Sequence, residues 1–518
     1  MKNHSQEQHA KQQEKQHVEW NEEQRGRQDE RQQEKQREEE NLPKKGDLVT
    51  VSITDMGVDG EGIGKENGLT YFIKDAVIGD IVQAFVMKQK KNCVYARLLQ
   101  VITPSPWRVA PPCRVYRPCG GCQLQALSYE QQLIFKENKV RNNLIRIGGW
   151  SREETEEWME PILGSDQPFH YRNKAQFPVG RDKNGHIVAG FYANRSHTIV
   201  PNLRCGILHP VCEEILSCVI SHMEEYQIAP YEESTGKGLM RHVFIRRGDA
   251  TGEIMVCLVL TKDRLPYAEG LTERLHAIEG MTSVCLNVNR KNTNVILGER
   301  IIPLWGKPYI TDRIGEITYR ISPHSFFQVN PRMTKHLYET ALEFAALTGK
   351  ETVWDLYCGI GSISLFLAKQ ARMVYGIEII PQAVENAREN AAENRITNAK
   401  FYTGRVEEVL PVFYRDHQNT EESENQGDSG KSQMLHPDVM VVDPPRKGCD
   451  RACLETMTEM RPDRIVYVSC DSATLARDLR ILCDQGYQIR RVRPVDMFPQ
   501  TVGVETCALL VKTSDSEV

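Results

Sequence analysis

An α/β chain built in three folded parts is what the 518-residue sequence predicts, on three observations. The last two hundred residues alternate strand and helix patterns, as a doubly wound, Rossmann-like parallel sheet does. Near the N-terminus, short alternating strands separated by glycines suit a small β-barrel of the oligonucleotide-binding type. Between the two lies a β-rich central region. Length agrees, since dividing the chain by a typical domain size gives roughly three domains.

The first element is a tail. Residues 1–43 are dominated by Gln, Glu, Lys and Arg with almost no branched aliphatics. They cannot bury enough apolar surface to offset ordering entropy, so a disordered or loosely helical tail is expected. Its charges nearly balance, which weighs against an RNA-contacting arm. The barrel is expected over 44–103, from runs at 47–53, 70–73, 80–86 and 93–99 and the glycines 57, 60, 62 and 64. Lys88, Lys90, Lys91 and Arg97 gather near one hairpin. That suits a phosphate-contacting face, although solvated lysines on a generic barrel read the same way.

The central region, 104–321, opens on Cys113-Arg-Val-Tyr-Arg-Pro-Cys119-Gly-Gly-Cys122. Three thiols at this spacing on a Pro- and Gly-rich loop can converge on one metal centre, with a fourth ligand from elsewhere. A zinc ribbon would offer a second Cys-x-x-Cys pair, and none follows. Three clustered ligands plus a remote one are more typical of an iron–sulfur cluster. Cys205, beside a glycine in Asn202-Leu-Arg-Cys205-Gly, is the best remote candidate and Cys212 the next. Zinc and free loop thiols stay open as alternatives; visible absorption of anaerobically purified protein separates iron from zinc. Tyr171-Arg-Asn-Lys174 and Met240-Arg-His-Val243 group basic and aromatic residues as RNA contacts do, a pattern also common on strand edges.

The last part, 322–518, carries Thr352-Val-Trp-Asp355-Leu-Tyr357-Cys-Gly359-Ile-Gly361, a strand entering a Gly-x-Gly turn and then a helix. The glycines let the backbone approach a ligand closely. The third dinucleotide-fingerprint glycine is missing, which disfavours a nicotinamide cofactor. The next strand ends in Glu378, placed for a ribose diol. Such a loop without a phosphate-binding Lys-Ser/Thr pair suits S-adenosylmethionine, a nucleoside without phosphates. Further strands are expected at 399–402, 438–442, 464–469 and 505–512, with a disordered surface insertion at 415–436. Cys470 ends the run Ile465-Val-Tyr-Val-Ser469. A strand stopping at small polar residues aims the next side chain out of the carboxyl edge, where open α/β sheets bind ligands. The thiol reads there as a nucleophile, or else as a small core hydrophobe.

Ser325-Phe-Phe-Gln328-Val-Asn330, Asp355-Leu-Tyr-Cys-Gly-Ile-Gly361, Asp443-Pro-Pro-Arg446-Lys-Gly448, Val468-Ser-Cys470-Asp, and Asp496-Met-Phe-Pro-Gln-Thr501 through Glu505 stand together in this chain. Their order and spacing resemble the RNA uracil-C5 methyltransferase family, over roughly Lys44 to the C-terminus. Asp59-Gly-Glu-Gly-Ile-Gly64 and Val77-Ile-Gly-Asp80 also resemble the TRAM domain of RNA-modifying enzymes. The four-cysteine pattern joined to such a barrel is similar to the ribosomal-RNA branch of the family; the transfer-RNA branch generally lacks both.

The resemblance implies an enzyme that uses S-adenosylmethionine to methylate uracil C5 in RNA, with 23S ribosomal RNA as the expected substrate. Uracil C5 is a poor nucleophile, so a thiolate must first add to C6 and create an enolate; Cys470 would do this. Glu505 matches the base that removes the C5 proton, its alternative being a surface glutamate opening a strand. Gln328, Tyr357, Glu378 and Asp443 would bind the cofactor, Asp443 having the target uracil as a second possible partner. Phe326 would stack on a flipped base. Cys113, Cys119, Cys122 and Cys205 would hold a [4Fe-4S] cluster. Gln500 and Gly503 stand where the family frequently has histidines, so the proton-relay environment departs from the pattern. A transfer-RNA substrate and a non-catalytic RNA-binding module in ribosome assembly are the competing readings.

Composition limits the partners. Net charge is −5, so RNA contact must come from local basic patches rather than a global field. Fifteen cysteines, an odd number thinly spread, argue for reduced thiols, ligands and a nucleophile rather than a disulfide scaffold. No apolar run reaches the ~20 residues of a membrane helix, and the N-terminus lacks the apolar core of a signal peptide. A cytoplasmic monomer without membrane contact is the expectation.

Overall fold

The computed structural model describes residues 42–194, 196–413 and 436–513. The expected tail and the expected insertion therefore lie outside the described residues, apart from positions 42, 43 and 436. The chain divides into two compact units: the residues up to Gly57 with Glu61–Pro106, and Val58–Gly60 with everything from Trp107 onward.

In the first unit, β1 (Leu48–Met56), β2 (Gly62–Glu66), β3 (Leu69–Lys74), β4 (Ile81–Lys90) and β5 (Cys93–Thr103) close a barrel in the order β1-β2-β3-β5-β4. Period-2 alternation builds it: Val82, Ala84 and Val86 of β4 point inward onto Val51, Ile73 and Val94. Gly64 is required because β1 passes so close that a Cβ there would lie 2.3 Å from Val51 Cγ1. On the barrel wall Phe72 and Tyr95 stack at 5.4 Å, and Lys90 Nζ lies 5.2 Å above the Tyr95 ring.

The second unit opens its β structure with a seven-stranded sheet. Its strands are β6 (Lys174–Arg181), β7 (Ile187–Tyr192), β8 (Ile199–Pro201), β9 (Met240–Arg247), β10 (Ile254–Leu260), β11 (Met281–Val288) and β12 (Arg300–Gly306), in the order β12-β11-β10-β9-β6-β7-β8. β10 is buried along its whole length. Helices Val211–Glu225 and Ala268–His276 pack into the core on one face, while Met255 and Cys257 join the core of the last sheet on the other. The hairpin β13 (Ile310–Ile314) and β14 (Ile317–Ile321) turns its isoleucines and Tyr319 into that same core.

The last sheet comprises β15 (Thr352–Leu356), β16 (Met373–Glu378), β17 (Ala399–Thr403), β18 (Val439–Val442), β19 (Arg464–Ser469), β20 (Tyr487–Val495) and β21 (Glu505–Lys512), in the order β17-β16-β15-β18-β19-β21-β20. β15 to β19 run parallel, and β21 inserts antiparallel between β19 and β20. Chain order steps away from β15 in both directions, which creates a switch point between β15 and β18. The ends of β15, β16, β18 and β19 and the start of β21 consequently share one edge. β20 is absent from the sequence expectation because a bulge between Ile489 and Arg491 breaks its alternation. It is the edge strand, and its Arg491 and Arg493 pair with Glu160 and Glu343.

In the two basic and aromatic clusters of the central region, Tyr171, Arg241 and His242 serve as internal ties, while Arg172 and Lys174 are partly exposed. Tyr171, Arg241 and His242 are all buried. The Tyr171 hydroxyl donates to the Pro499 carbonyl at 3.0 Å, and Arg241 Nη1 donates to the carbonyls of Asn289 and Lys291 at 3.0 and 2.7 Å. Period alone shows which side of a strand a residue takes, not what covers that side. Among the described residues, no helix is long and apolar enough to cross a membrane.

Candidate active site

Cys470 follows β19 directly, and Ser469 pairs with Thr506, so Glu505 at the start of β21 stands across from the thiol. Cys470 is half-buried. Glu505 is only 2% exposed, and its Oε2 has no hydrogen-bond partner among the described residues. It is therefore not a surface glutamate. Asp443 follows β18 on the same edge.

Burial pushes Glu505 up to about 8, with the Asp443 charge adding to the effect and Arg446 opposing it. Burial raises Asp443 to about 7. Two neighbouring carboxyls in such surroundings titrate as a pair. Cys470 is pushed up to about 11, first by burial, then by Glu505 and Asp443, and again Arg446 pulls it down. Asp471 accepts from the amides of Ala473 and Thr474 at 2.9 and 3.1 Å, capping the helix Ser472–Asp484. The positive end of that helix thus begins beside the thiol, which favours thiolate.

Arg446 is the cation common to both reactive groups, and it has a measurable consequence. Arg446→Ala should move the pH profile of Cys470 alkylation to higher pH and slow alkylation at pH 8, because the countercharge that lowers the thiol is lost. An unchanged profile would remove Arg446 from the site's electrostatics.

One strand over, Glu378 Oε2 accepts from the Gly359 amide at 3.1 Å and Oε1 from the Ile380 amide at 2.9 Å. Gly359 and Gly361 take φ of 56° and 79°, in the left-handed region that favours glycine. A Cβ on Gly359 would meet nothing within 4 Å, so the loop opens onto free space above Glu378. Asp355 is buried; Ser364 Oγ donates to its Oδ2, while its Oδ1 has no partner among the described residues. Burial and the charges of Asp443 and Glu378 raise it to about 7 despite that bond. The Tyr357 ring packs towards Cys449 and Cys453. Gln328 is buried, and its backbone carbonyl accepts from Asn173 Nδ2 at 3.0 Å. Phe326 is 63% exposed, unlike its neighbour Phe327, which enters the core.

A half-buried thiol, an unpaired buried carboxylate opposite it and an open glycine loop two strands away make a site for nucleophilic and acid–base chemistry on a bound nucleoside. Residues 129–513 match the family model described as tRNA (Uracil-5-)-methyltransferase. The chain belongs to that family. It is an RNA (uracil-5-)-methyltransferase that depends on S-adenosylmethionine. An uncharacterized RNA methyltransferase of Halalkalibacterium halodurans is 47% identical over 467 residues, 90% of this chain and 97% of the relative. One from Clostridium tetani is 44% identical over 92% of this chain and 98% of its own length. Among solved structures, the Pyrococcus abyssi tRNA (uracil-54, C5)-methyltransferase in complex with S-adenosyl-L-homocysteine is 28% identical. The match covers 89% of this chain and 100% of that one, at a TM-score of 0.69.

Away from this edge, the methyltransferase gathers Cys113, Cys119, Cys122 and Cys205 around one cavity of about 280 Å³, with Arg172 and Lys174 in the same lining. Cys212 is instead buried in the hydrophobic core of the central sheet. Burial pushes Cys122 up to about 12, and the charges of Cys205, Cys119 and Cys113 all act on it. The thiols ring the cavity: no group of three His, Cys, Asp or Glu that could hold a metal ion forms among the described residues. Asp355 and Arg446 stand inside motifs legible in the sequence, but neither carried a role there. Their position on the shared edge gives them one.

Proposed function

We propose that the methyltransferase forms 5-methyluridine in ribosomal RNA, with Cys470 as nucleophile and Glu505 as base. The observation that carries this reading is the unpartnered buried oxygen of Glu505 across the strand register from Cys470. Cys470, as thiolate, forms a bond to uracil C6, and the displaced electron pair is held as an enolate at O4. C5 then attacks the methyl carbon of the sulfonium, and S-adenosylhomocysteine departs. Glu505 takes the proton from C5; the electron pair of that bond restores the C5–C6 double bond and expels the Cys470 sulfur. A carboxylate raised to about 8 is matched to this proton transfer near neutral pH. Burial raises both Glu505 and Asp443, and the Asp443 charge adds to the rise of Glu505, so Glu505 gives up its own proton before it takes the one from C5.

Glu378 and Asp443 hold the cofactor, the first through the ribose, with Gln328 and Tyr357 at the pocket's flanks and Phe326 stacking on the target base. The four thiols would hold a [4Fe-4S] cluster once drawn in from the wall of their shared cavity: the donor set is all sulfur, and Arg172 and Lys174 line the same space. Such a cluster would fold the loop that carries its ligands, and no step above passes through it. The TRAM-like barrel, with its stacked aromatics and Lys90, offers RNA a basic and aromatic wall. The enzyme acts as a cytoplasmic monomer.

A transfer-RNA substrate is the second reading, favoured by the substrate of the Pyrococcus abyssi enzyme. Incubation of each RNA with a labelled methyl donor decides between them. Label in 23S ribosomal RNA at a single class of uridine is the expected result; label confined to transfer RNA overturns the ribosomal assignment.

A further inference from the structure

The segment leading into Glu505 is held through four of its carbonyls by residues more than three hundred positions earlier. Lys136 Nζ donates to Phe498 O at 2.9 Å and the Tyr171 hydroxyl to Pro499 O at 3.0 Å. The amides of Gln123 and Leu124 donate to Gln500 O at 3.1 and 3.0 Å, and Lys139 Nζ donates to Val502 O at 3.0 Å. Lys136 is fully buried and also pairs with Asp496, which accepts from the Tyr129 hydroxyl at 2.9 Å.

Gln500 is the centre of this arrangement. It is buried, and its φ of 70° lies in the left-handed region that a residue with a side chain avoids. Such a conformation persists only where the surroundings over-determine it. Gln132 does so: its Oε1 accepts from the Gln500 amide at 3.0 Å, and its Nε2 donates to Gln500 Oε1 at 3.0 Å. The same Nε2 lies 3.1 and 2.9 Å from the carbonyls of Leu124 and Leu127. One side-chain amide thus locks both backbone and side chain of Gln500, while the stretch just after Cys122 caps its carbonyl. Thr501, the next residue, lines the four-cysteine cavity.

We infer that Gln132 is a positioning residue for Glu505, and that through Gln500 the cysteine loop and the base-bearing segment form one hydrogen-bonded unit. This rests on Glu505 being the base. Cys470 is held by β19, by the turn in which Ser469 Oγ accepts from the Asp471 amide at 3.1 Å, and by Asn143 Nδ2 donating to Ser472 Oγ at 2.8 Å, bonds in which Gln132 takes no part. Loss of the Gln132 clamp therefore acts on proton removal and leaves addition and methyl transfer in place. Gln500 also occupies a position where a proton-relay group was expected; its side-chain oxygen is instead engaged by Gln132.

The test uses Gln132→Ala and Gln132→Met, the second filling the volume without hydrogen bonds, in the full-length protein with whichever of 23S ribosomal RNA and transfer RNA the wild type labels, and labelled donor. Multiple turnover should fall about 10- to 100-fold, as small misplacements of a reacting group do. Single-turnover methyl transfer should stay near wild type, so the methylated covalent complex accumulates. Adding Gln500→Gly, which takes positive φ without strain, should recover part of the lost turnover. In Cys122→Ser, amide exchange at residues 498–503 should rise if the loop and the segment are one unit. Parallel loss of methyl transfer and turnover, no rescue by Gln500→Gly, or unchanged exchange in Cys122→Ser would overturn the inference. If Glu505→Gln accumulates the methylated complex and the Gln132 variants do not, the clamp fails while the base stands; if Glu505→Gln itself does not, the base assignment fails.

Discussion

Cys470→Ala should abolish the denaturation-resistant complex expected of the wild-type enzyme with RNA containing 5-fluorouracil, and should lower methylation by about 10⁴-fold or more, the scale on which removal of a nucleophile is felt. Fluorine at C5 cannot leave as a proton does, so the thioether to C6 persists through denaturing electrophoresis. The residue sits at the tip of β19 rather than inside it, half-buried, so the substitution removes little packing and folding stability should change only slightly. The pH dependence of trapping is fixed by the surroundings of the thiol. With Cys470 raised to about 11, the thiolate fraction, and with it the trapping rate, grows about tenfold per pH unit between 7 and 10. A complex that survives in Cys470→Ala would sink the assignment of the nucleophile.

Glu505→Gln gives the second large effect, of a different kind. The variant should still add to C6 and still accept methyl but stall before release, so that a labelled methyl group appears on the covalent complex while product formation falls by a factor of about 10² to 10⁴. Ready turnover would reject Glu505 as base. The same substitution has a stability signature. In the folded enzyme Glu505 is raised from the usual glutamate value to about 8, so the native state binds its proton more tightly than the unfolded chain. This contribution is fully present below about 4.5 and is lost as the pH rises to about 8. Glutamine has no proton to lose. The melting temperature of Glu505→Gln should therefore exceed that of the wild type by a few degrees at pH 9 and by less at pH 5. Equal differences at both values would mean that the carboxyl is not desolvated.

Several of these residues were legible in the sequence for a physical reason. Parallel strands all finish on one edge, so Glu378 and Cys470, each ending or following an apolar run, could be placed there by periodicity, while Asp443 came from the family resemblance. Glu505 could not, because it opens a strand that runs the other way; only the order of motifs pointed to it. The barrel's glycines read as separators between strands, yet Gly62 and Gly64 lie within β2, where Gly64 answers a steric demand of β1. What stayed hidden was burial and long-range pairing. Tyr171 and Arg241 look like RNA contacts until the chain covers them, and nothing local in Gln132 announces a partner 368 residues away. β20 was missed because its bulge and its arginines suit an edge, where alternation is not enforced.

The insertion of β21 between β19 and β20 sets an order of events for a growing chain. Cys470 is synthesised, with the strand that presents it, before its counterpart exists, and β20 has no neighbour within the sheet until β21 arrives. Sheet closure over such a sequence separation comes late. A polypeptide interrupted before residue 505 would carry the proposed nucleophile without the proposed base, and a uridine methylated on it would lack the group that takes its C5 proton. With the proposed base on β21, release, not attack, would be the later of the two capacities that a growing chain gains.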